Sequence, residues 1–181
     1  MKNSFRIIIA ILAITFFSGN VTTDAAGNKH SKDRKNAEQA IVRKSVESGR
    51  FIIRLDRIYF RYGGIADLKP RANYIILDRG SAVISTAYLG RQFDIRPIAG
   101  INMIGRASVS EIKRNPSKGS YIVKMKVDNG NQTLNVTLRI GSTGSCDASI
   151  SGLMIDNVTY SGDLVPVKDN RDIPPTGGEM I

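Results

Sequence analysis

The sequence predicts a mainly β protein, an antiparallel eight-stranded meander that forms a barrel or half-open barrel after one short N-terminal helix. Two observations predict this class. From residue 50 onward, apolar and polar residues alternate in short runs, and residues typical of turns separate most of these runs by a few positions. Because sequential hairpins place consecutive strands side by side, eight strands either close into a barrel or split into a sandwich.

The helix is predicted over residues 37–48, which read AEQAIVRKSVES. Good helix formers fill this segment, and Gly49 is placed to end it. The apolar residues have near-helical spacing but form a narrow stripe, made of Ala37, Ala40, Ile41 and Val46. We therefore expect the helix to pack across the domain that follows it.

The first strand is predicted in RFIIRLDRIYF, residues 50–60. One of its faces carries Phe51, Ile53 and Leu55, because successive side chains of a strand point to opposite sides. The alternation slips near Arg57, which predicts a bulge or a bend in the strand.

The remaining strands follow in chain order. They are predicted at residues 73–77, 81–88, 102–112, in the two halves of SYIVKMKVDNGNQTLNVTLRIG (residues 120–141), and at 146–153 and 157–161. The turn Asp78-Arg79-Gly80 joins the first two of these strands. The hairpin of residues 120–141 has the clearest alternation, and Asn129-Gly130 predicts a type I′ turn because these residues tolerate positive φ.

The N-terminus has the layout of a secretory signal peptide. Basic residues at positions 2 and 6 precede an apolar run from Ile7 to Phe17. The run is shorter than the roughly 20 residues of a membrane-spanning helix, so we expect removal after Ala25 and no transmembrane segment in the mature chain. The only cysteine, Cys146, is far from this run, so an N-terminal lipid anchor is not expected. The predicted location is the periplasm or the outside of the cell.

The predicted organisation has four parts. These are a signal peptide at residues 1–25, a flexible polar lead-in at 26–36, a single barrel-like domain with its N-terminal helix at 37–165, and a flexible tail at 166–181. The mature chain is long enough for one ordinary domain with its own core. A single cysteine forms no internal disulfide, so Cys146 is expected to be a small buried residue rather than a nucleophile.

The chain has a formal net charge of +10, which favours anionic partners. Export and the scattering of the basic residues along the chain argue against nucleic acid. Anionic lipid headgroups and acidic polysaccharide are better candidates. A basic surface that has no partner at all is an equally open interpretation.

The residues that carry most enzymatic chemistry are missing from the predicted domain. The only histidine, His30, lies in the predicted lead-in, which argues against a Ser-His or Cys-His pair and against a His-based metal site. The glycines at 63 and 64 lack the helix that follows a phosphate-binding loop. We therefore predict no catalytic residue, no metal, no cofactor and no enzymatic activity. A carboxylate pair is the enzymatic alternative, with four candidates near strand ends, Asp56, Asp67, Asp78 and Asp94.

Four sequence words, DRIYFRYGG, NYIILDRGS, TAYLGRQF and TYSGDL, occur in an order that resembles the domain of unknown function 4251 family, exported proteins of Gram-negative bacteria. The resemblance covers about residues 50–164. It rests on Asp56, Arg57, Tyr59, Asn73, Tyr74, Tyr88, Gly90, Arg91, Gly100, Tyr160, Ser161 and Gly162. It implies a small antiparallel β-barrel similar to lipocalin-type folds, with a preceding helix and no established activity.

The stretch between Tyr88 and Ile101 is longer than an ordinary hairpin loop and contains apolar residues, so it is expected to fold over one barrel end. Its two arginines suggest a binding site for a small amphipathic or anionic ligand at that end. The hypothetical ligand-binding residues are Tyr59, Tyr88, Arg91, Arg96 and Tyr160. In the alternative interpretation, Arg91 forms an ion pair with Asp56 or Asp94 and has a structural role.

A second hypothesis is an interaction module. In this hypothesis, the basic outer face binds an envelope protein or an anionic polymer such as a polysaccharide. Such binding would weaken as the salt concentration rises, because exposed charges are screened over about 8 Å at physiological ionic strength.

Overall fold

The computed structural model describes residues 24–60, 63–88 and 100–167, with side chains from residue 31 onward. Within these ranges, one helix precedes nine strands, and each strand is antiparallel to the strands beside it. The elements are α1 (Asp24–Ser48), β1 (Arg50–Tyr59), β2 (Ile65–Asp67), β3 (Tyr74–Asp78), β4 (Ser81–Ala87), β5 (Gly100–Asn115), β6 (Ser120–Asp128), β7 (Thr133–Ile140), β8 (Ser145–Gly152) and β9 (Val158–Pro166).

The sheet closes on itself because β1 pairs with both β3 and β9. Eight strands therefore form a closed antiparallel barrel, which confirms the predicted mainly β meander with its N-terminal helix. The additional strand, β2, pairs with the second half of β1 and lies outside the closed ring. It was not predicted, because an element of three residues is too short to show a period of two.

The barrel interior is filled by side chains of the strands. Phe51, Leu55, Met125 and Leu138 have at most 1% of their surface exposed and belong to one apolar cluster. A second, smaller cluster of Ile52, Tyr74 and Ile76 faces the other side of the sheet and is also buried. The alternation predicted for β1 therefore holds for the inner face. On the outer face, one position is apolar, Ile52.

The predicted irregularity of β1 is a register shift between Leu55 and Arg57, opposite β9. Asp56 is the extra residue, so the strand changes phase there. The two strands approach so closely at this point that a Cβ on Gly162 would overlap the carbonyl oxygen of Arg54. Position 162 therefore has no room for a side chain, and glycine fits there.

Helix α1 begins at Asp24, so residues 26–36, which we expected to be a flexible lead-in, are helical. The segment contains no proline, and the ion pair between Arg34 and Glu38, at 3.0 Å, supports the helix at the spacing of one turn. The helix ends as predicted: Gly49 has a φ of 61° and its N–H donates to the carbonyl oxygen of Val46 at 3.1 Å.

The C-terminal half of α1 packs on the barrel. Val42 and Val46 are 3% and 0% exposed and belong to the main apolar cluster. Gly144 leaves room for Val42, whose Cγ2 would lie 3.6 Å from a Cβ at that position. The helix therefore packs across the barrel at the end where β1 begins, as predicted. The predicted stripe is wrong in part, because Val42 packs with Val46 whereas Ala37, Ala40 and Ile41 are exposed.

The two predicted tight turns have different outcomes. In the turn Asp78-Arg79-Gly80, Arg79 and Gly80 both have positive φ, 47° and 91°, as a two-residue hairpin turn requires. The hairpin of β6 and β7 is confirmed, but its predicted type I′ turn is wrong, because four residues separate Asp128 from Thr133.

Side chains stabilise this longer connection between β6 and β7. An Oδ1 of Asp128 accepts the N–H of Gly130 at 2.6 Å, and Oδ1 of Asn129 accepts the N–H groups of Asn131 and Gln132 at 3.0 and 2.9 Å. These side-chain acceptors replace the backbone bonds of a two-residue turn.

Several predictions concern residues outside the described ranges. These are the signal peptide up to residue 23, the loop of residues 89–99 with Arg91 and Arg96, and the tail from residue 168. Among the residues that the structure does describe, no helix combines the length and the apolar character that a bilayer span needs.

Candidate functional site

The barrel end remote from α1 is called the rim; β1 and β4 end there, and β5 and β9 begin there. A buried polar network lies beneath it. The side chain of Asn73, which is 0% exposed, accepts the N–H of Ala87 at 2.7 Å and the hydroxyl of Thr86 at 3.3 Å through Oδ1. Its Nδ2 donates to the carbonyl oxygen of Lys69 at 3.0 Å. One asparagine thus connects β4 to the turn before β3.

Tyr160 completes this network from β9. Its hydroxyl donates to the carbonyl oxygen of Ala87 at 2.9 Å. Both backbone groups of Ala87 are therefore bonded to side chains from other parts of the barrel. Since Ala87 is the last residue of β4, the network holds the point where the chain leaves the sheet.

Tyr88 follows immediately and is only 2% exposed. Its hydroxyl accepts the N–H of Asp156 at 3.0 Å. Burial raises the pKa of both Tyr88 and Tyr160, so each hydroxyl remains protonated at neutral pH. The structure brings these two predicted site residues together beneath the rim, with their hydroxyls bonded to backbone groups.

Tyr59 lies elsewhere, on the outer side of the barrel wall. In the pairing of β1 with β9, the residue opposite Tyr160 is Ile58 rather than Tyr59. The bulge at Asp56 explains this position, because one extra residue sends Ile58 into the core and Tyr59 outward. The three tyrosines that we expected at one barrel mouth are thus separated by the wall.

A chain of hydrogen bonds holds Tyr59 in place. Its hydroxyl donates to Oγ of Ser161 at 3.4 Å, and Oγ of Ser161 donates to Oδ1 of Asp56 at 2.9 Å. All three residues belong to the words on which the family resemblance rests. The sequence order alone did not show that they form one cluster.

Two depressions meet at Tyr59. The first, called the rim pocket, has a volume of about 520 Å³ and is lined by Tyr59, Phe60, Asp156, Asn157 and Thr159. It adjoins the buried network, since Asp156 donates its N–H to Tyr88. Predicted site residues therefore lie both in this pocket and directly behind it.

The second depression, called the wall groove, has a volume of about 570 Å³ and is lined by residues of β5, β6, β7, β8, β9 and β1 and of the turns at Lys118 and Gly141. Its lining contains as many basic as acidic side chains: Arg57, Lys118 and Arg139, and Asp56, Asp147 and Asp163. Sequence reasoning missed this groove, because its residues come from strands that are distant in the chain.

The carboxylates considered for an enzymatic site have separate partners. Asp56 bonds to Ser161, Asp67 pairs with Arg57 at 3.8 Å, and Asp78 pairs with Arg50 at 3.3 Å. The fourth candidate, Asp94, lies outside the described residues. In the described part of the chain, no group of three or more His, Cys, Asp or Glu side chains is arranged to hold a metal ion.

Cys146 lies in the core with 3% of its surface exposed. Burial is the main reason why the pKa of its thiol is raised, with a further contribution from the charges of Asp147 and Asp163. The thiol therefore stays protonated at neutral pH, which matches the expectation of a small buried residue.

Strand pairing also gathers basic side chains on one outer surface, called the basic face and made of Lys113, Lys124, Lys126 and Arg139 on β5, β6 and β7. One acid lies among them: Glu111 contacts Lys124 at 2.7 Å, and this bond lowers the pKa of Glu111. The charges that looked scattered along the sequence are neighbours on this surface.

Comparisons with known proteins agree with this fold. The model of a family described as domain of unknown function (DUF4251) matches residues 33–164. The crystal structure of a DUF4251 family protein from Bacteroides eggerthii is similar with a TM-score of 0.61 and 15% identity, over 72% of this chain and 88% of that chain. An identity this low shows the fold alone. No curated protein matches the chain.

Proposed function

The chain belongs to the DUF4251 family, and from this premise we propose that it is an exported cell-envelope protein that binds a small amphipathic or anionic ligand at the barrel rim without catalysing a reaction. The rim pocket is the observation that carries this proposal. It combines two aromatic rings with the polar side chains of Asp156, Asn157 and Thr159. Its volume of about 520 Å³ lies within the range of roughly 300–1,000 Å³ that is typical of small-molecule sites.

The filled interior supports a position at the rim. Phe51, Leu55, Met125 and Leu138 occupy the centre of the barrel and are almost fully buried. A ligand among these side chains would have to displace close-packed apolar groups. A ligand in the rim pocket displaces none of them.

The network beneath the rim supports binding by a preorganised surface. Asn73 and Tyr160 hold Ala87, and Tyr88 holds the backbone at Asp156, which lines the pocket. A pocket wall that is already ordered loses less conformational entropy when a ligand binds. Polar residues that do not face the ligand thereby contribute to its affinity.

The proposal of export rests on the N-terminal sequence, in which basic residues precede the apolar run from Ile7 to Phe17. The proposal of binding without catalysis rests on the state of the candidate reactive groups. Cys146 is buried and protonated, and the hydroxyls of Tyr88 and Tyr160 are bonded to the backbone.

Native mass spectrometry of the mature chain, purified gently from its own host, tests the proposal. We expect a bound mass in the wild-type protein. Replacement of Thr159 by Trp fills the rim pocket and should remove the bound mass. The matched control is Thr137→Trp, the same change at an outward position of β7, which should retain it.

Two results would overturn the proposal. One is a wild-type protein that carries no bound mass under these conditions. The other is a bound mass that Thr159→Trp and Thr137→Trp retain equally, since the ligand would then lie away from the rim pocket.

The basic face supports a second candidate function, an interaction module that binds an anionic envelope polymer. Lys113, Lys124 and Lys126 project from neighbouring strands, and one acid, Glu111, neutralises part of their charge. Binding through such a surface is electrostatic, so it should decrease as the salt concentration rises.

Retention on an immobilised acidic polysaccharide tests this candidate. The variant Lys113→Glu, Lys124→Glu, Lys126→Glu should elute at a much lower salt concentration than the wild type. The control carries the same charge change on the exposed helix: Lys32→Glu, Lys35→Glu, Lys44→Glu. Equal losses in both variants would show that net charge, rather than the basic face, determines retention.

A further inference from the structure

We infer that the rim pocket and the wall groove form one site for an extended, uncharged, polyhydroxylated chain, an oligosaccharide, that crosses the outer wall at Tyr59. The inference rests on the proposed binding function and deepens it. Of the two proposed ligand classes it selects the uncharged, amphipathic one over the anionic one, and it extends the site from the rim onto the wall, so the ligand is a chain rather than a small molecule. Geometry, charge and the kind of side chains in the two depressions support it.

The geometry makes Tyr59 the junction, since its side chain lines both depressions. The ring lies on the outer face of β1, between Thr159 of β9 and Ile65 of β2. The Tyr59 hydroxyl contacts Oγ of Ser161 at 3.4 Å, and the strand positions the ring, which is partly buried. A partly exposed ring that its strand positions is a preformed surface against which a ligand can stack.

The length of the groove favours an extended ligand. Its lining comes from six neighbouring strands, β5, β6, β7, β8, β9 and β1. Five interstrand spacings of about 4.8 Å give a path of about 24 Å along the curved wall. A single sugar ring would occupy only part of this distance, so the groove fits a chain of several sugar units.

The charge of the lining favours an uncharged ligand. The wall groove has three basic and three acidic side chains, and the rim pocket has one acid, Asp156, and no base among its lining residues. An anionic chain would therefore gain no net attraction along this path. The wall groove shares Arg139 with the basic face, but Lys113, Lys124 and Lys126 are absent from its lining residues.

The chemistry of the lining fits a sugar. The ring of Tyr59 and that of Phe60 present apolar surfaces to the C–H faces of a pyranose. Side chains that donate or accept hydrogen bonds line the rest of the path, among them Asn157 in the rim pocket and Ser161 and Arg139 in the wall groove. A chain that alternates apolar faces with hydroxyl groups meets both kinds of partner along this path.

Isothermal titration of the mature protein with neutral oligosaccharides from two to six sugar units tests the inference, and an oligouronate of six units serves as the anionic probe. We expect binding of neutral chains, with an affinity that increases with length and exceeds that for the oligouronate. Tyr59→Ala should lower the affinity at least tenfold, whereas Tyr59→Phe, which keeps the ring, should stay within about threefold.

Asp147→Trp supplies an independent variant, because Asp147 is exposed on the outer face of β8 and lines only the wall groove of the two depressions. This variant should lose the gain in affinity with chain length but keep the affinity of the shortest chain. Lys126→Ala on the basic face is the control and should bind as the wild type does. Unchanged far-ultraviolet circular dichroism and thermal midpoint confirm that each variant is folded.

The inference is overturned if no neutral oligosaccharide binds, if the oligouronate binds more tightly than the neutral chains, or if folded Tyr59→Ala binds as the wild type does. Its failure is distinguishable from that of the proposed function. Suppose that the wild type carries a host-derived mass, that the Thr159→Trp variant does not, and that no oligosaccharide binds. These results would support the rim site and reject the oligosaccharide as its ligand. Absence of both would reject the two together.

Discussion

At the scale of single residues, one extra residue in β1 determines which tyrosines share a surface. Without the bulge at Asp56, the alternation of Phe51, Ile53 and Leu55 would continue inward through Tyr59. With it, Ile58 enters the core and Tyr59 turns outward to Ser161. Residues that carry the family resemblance thus lie in two different places. Tyr88 and Tyr160 are buried beneath the rim and bond to the backbone, whereas Tyr59 is partly exposed on the wall.

Tyr160 and Tyr59, which lie on opposite sides of the barrel wall, provide a matched pair of variants. Tyr160→Phe removes the 2.9 Å bond to the buried carbonyl oxygen of Ala87 and leaves it only the 3.4 Å contact with the Thr86 hydroxyl, so it should lower the free energy of unfolding by about 1–2 kcal/mol. Tyr59→Phe removes a longer bond, 3.4 Å, at a partly exposed site, and should change it by less than about 0.5 kcal/mol. Urea denaturation at neutral pH measures both values. Equal effects would contradict the structural role of the Tyr160 hydroxyl.

The site was predictable residue by residue only in part. The sequence words pointed to Tyr59, Tyr88 and Tyr160, and the expectation of a buried Cys146 agrees with the structure. The sequence words included Asn73 but assigned it no role. In the structure its side chain is the centre of the buried network. Its function as a connector depends on the approach of β4, which no local pattern encodes.

At the scale of elements, the barrel strands were predictable from the sequence, whereas the short strand β2 and the connection between β6 and β7 were not. Alternation marks the longer strands, most clearly β6 and β7, whereas β2 has three residues and exposes Ile65. The connection after Asp128 departs from its Asn-Gly signal because neighbouring side chains accept the turn N–H groups. Local propensity is weak when side-chain hydrogen bonds offer an alternative of similar energy.

The helix supports a second prediction, because Ile41 and Val46, both in its predicted apolar stripe, differ in burial. Val46 is 0% exposed in the main cluster, so Val46→Ala should lower the free energy of unfolding by roughly 2 kcal/mol through lost apolar burial and the cavity that remains. Ile41 is 48% exposed, so Ile41→Ala should stay within about 0.5 kcal/mol. Chemical denaturation of both variants checks this. A larger effect at Ile41 would mean that the helix packs through its other face.

At the scale of the whole molecule, closure through the pairing of β1 with β9 leaves a barrel whose interior holds ionisable groups in protonated form. Burial raises the pKa of the Cys146 thiol above its ordinary value of 9.0 and that of the Tyr160 hydroxyl above 10.0. In alkaline solution the unfolded chain releases these protons while the folded barrel keeps them. Alkaline pH should therefore favour unfolding.

The third prediction follows from the sign of these shifts. The stability that the two groups contribute is complete below pH 9.0 and is lost as the pH rises past 9.0 for Cys146 and past 10.0 for Tyr160, towards their higher folded-state pKa values. Urea midpoints measured from about pH 8 to about pH 11 should fall, and Cys146→Ala and Tyr160→Phe should each flatten the curve. A wild-type midpoint that stays constant over this interval would contradict the prediction.

The sequence by itself determined the class of the fold, the approximate positions of the eight barrel strands and the inward residues of β6, β7 and the first half of β1. It did so because the alternation of side chains is a local property of extended backbone. Only the tertiary structure decided that the barrel closes, that Tyr59 faces outward, and that a groove and a basic face lie on the wall. These features depend on the pairing of distant strands; Tyr59 and Ser161 are 102 residues apart in the chain yet share a hydrogen bond.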